Sequence, residues 1–228
     1  MNSDLPARLT AVLARIRAAE RRFERPAGSV RLLAVSKTQT AAAIARLAGA
    51  GQHCFGENYL QESLDKMREL LDLDLEWHFI GPIQANKTRL IAERFAWVHS
   101  VDRLKVAERL SAQRPGSLPP LNLCLQINIS REDSKHGLDE TEVPALAKAV
   151  STLPQLRLRG LMAVPAPAAD FNAQREPLAR LRVIQERLIA QDLPLDTLSM
   201  GMTDDLEAAI AEGSTLVRIG TALFGPRA

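Results

Sequence analysis

The chain has 228 residues, 46% of them hydrophobic and 25% charged, a balance that suits a folded globular protein and excludes a disordered one. Its 29 basic and 27 acidic residues leave a formal charge of +2 and are interspersed along the chain, so there is no concentrated footprint for DNA or RNA. No apolar run approaches the roughly 20 residues of a membrane span, and the N-terminus, with Asp4 and Pro6, lacks the regions of a signal peptide.

A cytoplasmic location is therefore expected. The two cysteines, Cys54 and Cys124, lie far apart without CxxC spacing, which gives neither a zinc site nor a disulfide framework; buried free thiols are expected instead. His53, His78, His99 and His136 likewise show no short ligand spacing, so no metal is expected.

Residues 5–23 place Leu5, Leu9, Val12, Leu13 and Ile16 at helical spacing with arginines between them, an amphipathic helix. After the turn signal at Pro26 and Gly28, short apolar runs alternate with longer helical stretches, the pattern of βα units. Eight candidate strands cover residues 32–37, 53–56, 77–81, 97–101, 122–129, 158–164, 197–201 and 215–220. Residues 58–71 and 171–190 are the clearest crossover helices. Eight parallel strands can close a barrel, whereas an open doubly wound sheet would carry a GxGxxG turn after its first strand, and none is present. The expected fold is α/β: a single (β/α)8 TIM-type barrel with an extra N-terminal helix, occupying residues 1–228 as one domain. The chain ends soon after the eighth strand, so no helix is expected there, and the N-terminal helix is expected to cover that flank.

In such a barrel the functional groups stand at the C-terminal ends of the strands, and phosphate is commonly held after strands seven and eight. Lys37 ends the first strand in "LLAVSKT", on the side of Leu33 and Val35. Facing inward among apolar walls, its ammonium form is disfavoured and the neutral amine becomes able to attack an aldehyde, giving an imine. Facing outward, it is an ordinary exposed lysine. In "LSMGMTDDLEAAI", Ser199 and Gly201 form a turn into a helix whose start is marked by Thr203 and Asp204, with Glu207 completing a capping pattern. The acids Asp204 and Asp205 oppose a phosphate at the cap, which places it nearer the Ser199–Gly201 turn. In "VRIGTALFG", Gly220 permits close backbone approach and Thr221 offers a hydroxyl. Arg218 faces the same way as Gly220 and either donates to a ligand's pyridine nitrogen or pairs with a carboxylate. Asn58 is either a ring contact or a helix N-cap, His78 an interior histidine or a base, and Met162 a platform under the ring or core filler.

The strings "AVSKT", "FGENYLQE", "WHFIGPIQANK", "SKHG", "GLMAV", "LSMGMTDDLEAAI" and "VRIGTALFG" together resemble the pyridoxal-phosphate homeostasis protein family, whose barrel is similar to the N-terminal domain of alanine racemase. The resemblance runs from about Leu32 to Gly225. It implies that Lys37 carries pyridoxal 5′-phosphate (PLP) as a Schiff base, that Ser199, Gly220 and Thr221 lie around the phosphate, and that Arg218 sits near the ring nitrogen. Lys135 would be a second, weaker cofactor contact or else a solvated loop lysine. The family binds and passes on the vitamin B6 cofactor without an established turnover, which makes PLP-requiring apoenzymes and free amino acids the expected partners. The alternative is a minimal PLP-dependent racemase of weak activity, and a third, a cofactor-free Schiff-base aldolase. A racemase needs acid–base groups on both faces of the substrate carbon, yet the sole tyrosine, Tyr59, is poorly placed to serve, and the β-rich second domain of alanine racemase has no counterpart after Gly225. Lacking that domain's contacts, the chain is expected to be a monomer.

Overall fold

The computed structural model describes residues 4–132 and 136–225. Eight parallel strands pair in sequence order and the eighth returns to the first, closing the barrel. They are β1 (Arg31–Val35), β2 (Cys54–Glu57), β3 (Glu76–Phe79), β4 (Trp97–Val101), β5 (Leu121–Ile127), β6 (Leu156–Ala163), β7 (Thr197–Ser199) and β8 (Leu216–Ile219). Closure is made by Arg31 to Ala34 running beside Leu216 to Ile219, which sets Leu33 opposite Arg218. Helices α1 (Leu5–Arg22), α2 (Ala41–Gly49), α3 (Leu60–Glu69), α4 (Thr88–Arg94), α5 (Leu104–Gln113), α6 (Val143–Ser151), α7 (Phe171–Ile189), α8 (Leu206–Ala211) and α9 (Thr221–Phe224) surround it.

Each strand turns alternate residues to the barrel axis and to the helices, and the two sets differ in chemistry. Residues facing the helices form one continuous apolar core, including Phe55, Phe79, Phe95, Ile44 and Leu110. A second, small apolar cluster of Trp97, Cys124 and Met162 stands apart from it. The N-terminal helix buries Leu5, Leu9, Val12 and Ile16 and lies against α8, α9 and α2, so it covers that flank of the barrel. Glu20 at its C-terminal end is buried and accepts the backbone N–H groups of Gly28 and Val30, fixing the turn into β1.

Three expectations need correction. Lys37 lies two residues beyond β1, which ends at Val35, because Ser36 already begins a turn and accepts the N–H of Gln39. The chain does form a helix after β8: Gly220 starts the single turn α9, since four residues suffice for one turn. The capping pattern ahead of α8 is not made. Asp205 occupies the cap position with its carboxylate on the Met202 N–H, and Glu207 instead pairs with Arg15 of α1.

Candidate functional site

A cavity of about 390 Å³ opens at the C-terminal end of the barrel, inside the roughly 300–1,000 Å³ range of small-molecule sites. Of the residues singled out from the sequence, Lys37, Asn58, Met162, Arg218, Gly220 and Thr221 line it. Ser199 and Gly201 do not. Ser199 is buried inside the barrel, where its hydroxyl meets His99 and Arg218, and Gly201 gives its carbonyl to the backbone N–H of Arg218. With φ at +98 and a would-be Cβ 2.5 Å from the Ala209 side chain, position 201 requires glycine for the turn itself. From that side Met202, Thr203 and Asp204 reach the cavity instead.

Lys37 is half-buried, and the backbone on both sides of it is pinned by a charged cluster that sequence reasoning missed. Lys66 Nζ donates to the Ser36 carbonyl and to Glu57 Oε1, each at 2.8 Å, and also to Glu62. Ser36 Oγ donates to Glu57 at 2.6 Å, while Glu62 accepts the Thr38 N–H at 2.6 Å. Glu57 and Lys66 are both buried, and desolvation pushes the Glu57 carboxyl above its ordinary value despite Lys66 and Ser36. The only sequence signal was the Glu62–Lys66 helical spacing, which usually marks a solvated pair.

Asn58 is not the N-cap of α3; Tyr59 is. Asn58 presses its backbone against Gly81, where any Cβ would stand 2.3 Å from the Asn58 carbonyl, and its Oδ1 is buried without a partner among the described residues. Arg218 is buried with Nη1 on the Ser199 carbonyl and hydroxyl and Nη2 on the Ala163 carbonyl, so its partners are carbonyl and hydroxyl oxygens. Burial pulls the guanidinium down to about 10, which leaves it charged at neutral pH. Met162 packs on Trp97 and Cys124 and also lines the cavity. At the rim, Gly220 lets β8 approach the Val35 carbonyl closely, a Cβ there coming to 3.3 Å, and the first turn of α9 presents N–H groups that have no intrahelical acceptor.

Other candidates lie elsewhere. Tyr59 is 55% exposed and is not among the cavity residues. His78 is an interior, hydrogen-bonded histidine. Lys135 lies outside the described residues. Cys124 is a buried free thiol pushed up to about 12 by burial, whereas Cys54 is only half-buried. Cys54, Glu76 and His78 bring their ligand-type atoms within 4.8 Å of one another at the start of β2 and β3, a juxtaposition their spacing did not reveal. The place of a cation there is taken by Arg31, which donates to Glu76 Oε1 at 2.6 Å and to Cys54 Sγ at 2.8 Å. This cluster stands at the barrel end opposite the cavity.

The alanine racemase N-terminal domain family matches residues 8–228. The pyridoxal phosphate homeostasis protein of Pseudomonas aeruginosa is 61% identical over 225 residues, covering 99% of this chain and 96% of its own. That of Escherichia coli is 53% identical over 228 residues, covering 99% and 97%. Among solved structures, PipY of Synechococcus elongatus with PLP bound superposes with a TM-score of 0.84 at 38% identity, covering 97% of this chain and all of that one. Alanine racemase from Corynebacterium glutamicum shares the fold at a TM-score of 0.73 and 16% identity, with 62% of its own chain covered. On the strength of these relatives and of the closed barrel beneath them, the chain belongs to the pyridoxal phosphate homeostasis protein family, built on the alanine racemase N-terminal domain fold.

Proposed function

We propose that the cavity binds pyridoxal 5′-phosphate covalently through Lys37 and that the protein holds and passes on this cofactor within PLP homeostasis. The observation that carries the reading is a half-buried lysine on a pinned turn at the rim of a cavity that also holds a buried arginine and a helix start. These groups fit a ligand with an aldehyde, a ring nitrogen and a phosphate. PLP supplies a carbonyl that condenses with amines and a ring that draws electrons from the bonds next to them.

Lys37 provides the amine. Arg218 donates to the ring nitrogen and, because a guanidinium cannot take up a proton, keeps that nitrogen unprotonated and the ring a weak electron sink. Gly220 and Thr221 supply phosphate contacts from the start of α9. Ser199 and Gly201 act from behind, through Arg218 and the turn, rather than by touching the ligand. Asn58 lines the cavity beside the lysine, and Met162 offers an apolar surface.

A carrier is favoured over a racemase because Tyr59, the sole tyrosine, is exposed and off the cavity, leaving Lys37 without a second base of that type. We further propose a cytoplasmic monomer, acting as one domain, with apoenzymes and free amino acids as recipients of the cofactor. Among the described residues no helix is long and apolar enough to cross a membrane.

The test is borohydride reduction of PLP-loaded protein followed by peptide mass spectrometry. The expected result is one adduct on Lys37, absent in Lys37→Ala; an adduct on another lysine would remove Lys37 from its role. Loaded protein should also activate a PLP-requiring apoenzyme faster than free release of cofactor permits, and equal rates would leave storage alone.

A further inference from the structure

Beneath the cavity, beside the apolar Trp97–Cys124–Met162 cluster, polar groups inside the barrel form a continuous line. Arg218 Nη1 donates to Ser199 Oγ at 2.9 Å, and Ser199 Oγ lies 2.8 Å from His99 Nδ1. His99 Nε2 lies 2.9 Å from His78 Nδ1, and His78 Nε2 lies 2.8 Å from Glu76 Oε1. Ser199, His99 and His78 are fully buried, whereas Glu76, on the first residue of β3, is 36% exposed in its side chain at the opposite end of the barrel.

Both ends of this line have a fixed polarity, since a guanidinium only donates and a carboxylate only accepts. Ser199 Oγ accepts from Arg218 and keeps a hydrogen of its own; with the Glu76 carboxylate accepting from His78 Nε2 and both rings neutral, that hydrogen goes to His99 Nδ1. That nitrogen must be bare, which puts the His99 hydrogen on Nε2, where it is donated to His78 Nδ1. The His78 hydrogen is in turn on Nε2 and is donated to Glu76. Each ring then carries one hydrogen and is neutral, in keeping with the lowering of both histidines below the ordinary value by burial. The rings are also held in place: Trp97 stacks on His78 with centroids 5.4 Å apart and planes 3° from parallel, and Arg159 covers Trp97 at 4.8 Å.

We infer that Glu76 is a remote positioning residue for the cavity: it sets the direction of a Ser199–His99–His78–Glu76 relay and so holds Arg218 in one orientation toward the ligand. Ser199 is the link, because its carbonyl and hydroxyl take both hydrogens of Arg218 Nη1. A hydroxyl whose hydrogen is committed to His99 keeps its lone pairs turned to the guanidinium. Once the anionic end is removed, either hydrogen pattern is possible and that hydroxyl is no longer fixed. Arg31, which donates to Glu76, secures the outer end. The inference rests on the PLP reading of the cavity, but its first measurement does not.

In the protein without cofactor, long-range 1H–15N spectra of the histidines report which ring nitrogen carries the hydrogen. The expected result is Nε2–H on both His78 and His99. Glu76→Ala should shift His99 toward a mixture of the two forms and weaken PLP binding, followed by absorbance titration, by about threefold to tenfold, the worth of one hydrogen-bonded anchor. Glu76→Gln keeps an oxygen acceptor and should restore both readouts. An Nδ1–H on either ring of the unmutated protein overturns the relay, and decides the matter even if Glu76→Ala does not fold. Equally, Glu76→Ala that changes affinity without moving the His99 signals, or moves them without changing affinity, overturns the assigned role. If the unmutated protein takes up no PLP, the functional reading falls and this role with it; if it takes up PLP and the ring forms are wrong, the relay alone falls.

Discussion

Thr38 adopts φ +66, a left-handed conformation that costs a β-branched residue about 1–3 kcal/mol, and it does so directly after Lys37. The strain is maintained by the Glu62 carboxylate on its N–H and by Lys66 on the Ser36 carbonyl two residues earlier. Thr38→Gly should therefore raise stability in urea denaturation by about 1 kcal/mol, while slower uptake of PLP shows that the turn presents Lys37 less firmly. Lys66→Met tests the other side of the clamp. It strands the buried Glu57 carboxylate, and a loss of about 3–5 kcal/mol is expected. The pH dependence has a definite sign. Burial raises the folded Glu57 pKa, so the native state favours the protonated form, and stability falls as pH rises from the unfolded value through the folded one. The Lys66→Met penalty should accordingly be larger near about pH 8 than near about pH 5, measured by denaturation at both.

At the scale of elements, α1 and α8 are joined by Arg15, whose Nε and Nη2 each reach a Glu207 oxygen at 2.5 Å while Nη1 donates to the Thr203 carbonyl at the cavity edge. Arg15 holds the Glu207 carboxyl below its ordinary 4.5. The contribution is present in full above that unfolded value and is lost as pH falls through the depressed folded one. Both side chains are about a third exposed, at 37% and 31%, so Arg15→Ala should cost only about 0.5–1 kcal/mol near neutral pH, and less in acid unfolding below about pH 4. The same pair shows where sequence reasoning stops. Thr203, Asp204 and Glu207 carry a capping pattern, but a helix 192 positions away competes for Glu207 and wins with a bidentate contact. Strand positions were legible because apolar runs and turn signals are local; strand ends were not, since the N–H groups of Ser36 and Met200 still bond to neighbouring strands while the chain is already turning away. Lys37, Asn58, Met162, Arg218, Gly220 and Thr221 could be named from barrel geometry, which puts strand ends at one mouth. Ser199 stands below the residues that line the cavity, a depth that alternation does not give, since it tells the face of a strand and not how far below the rim a side chain stops. Glu57 and His99 gave no signal, and Lys66 only its helical spacing from Glu62, for a buried polar residue makes sense only with its partners in place.

For the whole molecule, α1 packs against α8, α9 and α2 and covers that flank of the closed barrel. Leu5, Leu9, Val12 and Ile16 are all 5% exposed or less. At about 1.5–3 kcal/mol for each buried side chain, their packing is worth roughly 6–12 kcal/mol, comparable to the roughly 5–15 kcal/mol total stability of a typical domain. Deleting α1 would also free the Gly28 and Val30 N–H groups from Glu20, loosening the entry to β1, the strand that leads to Lys37. A chain beginning at Pro26 is therefore expected to lose its cooperative unfolding transition and to take up no PLP, as followed by circular dichroism in urea and by absorbance titration. If that shortened chain unfolds cooperatively within about 1 kcal/mol of the full one, α1 is an appendage and the barrel closes its own core. A cooperative chain that no longer binds would instead place the contribution of α1 at the cavity, through Arg15 and the Thr203 carbonyl.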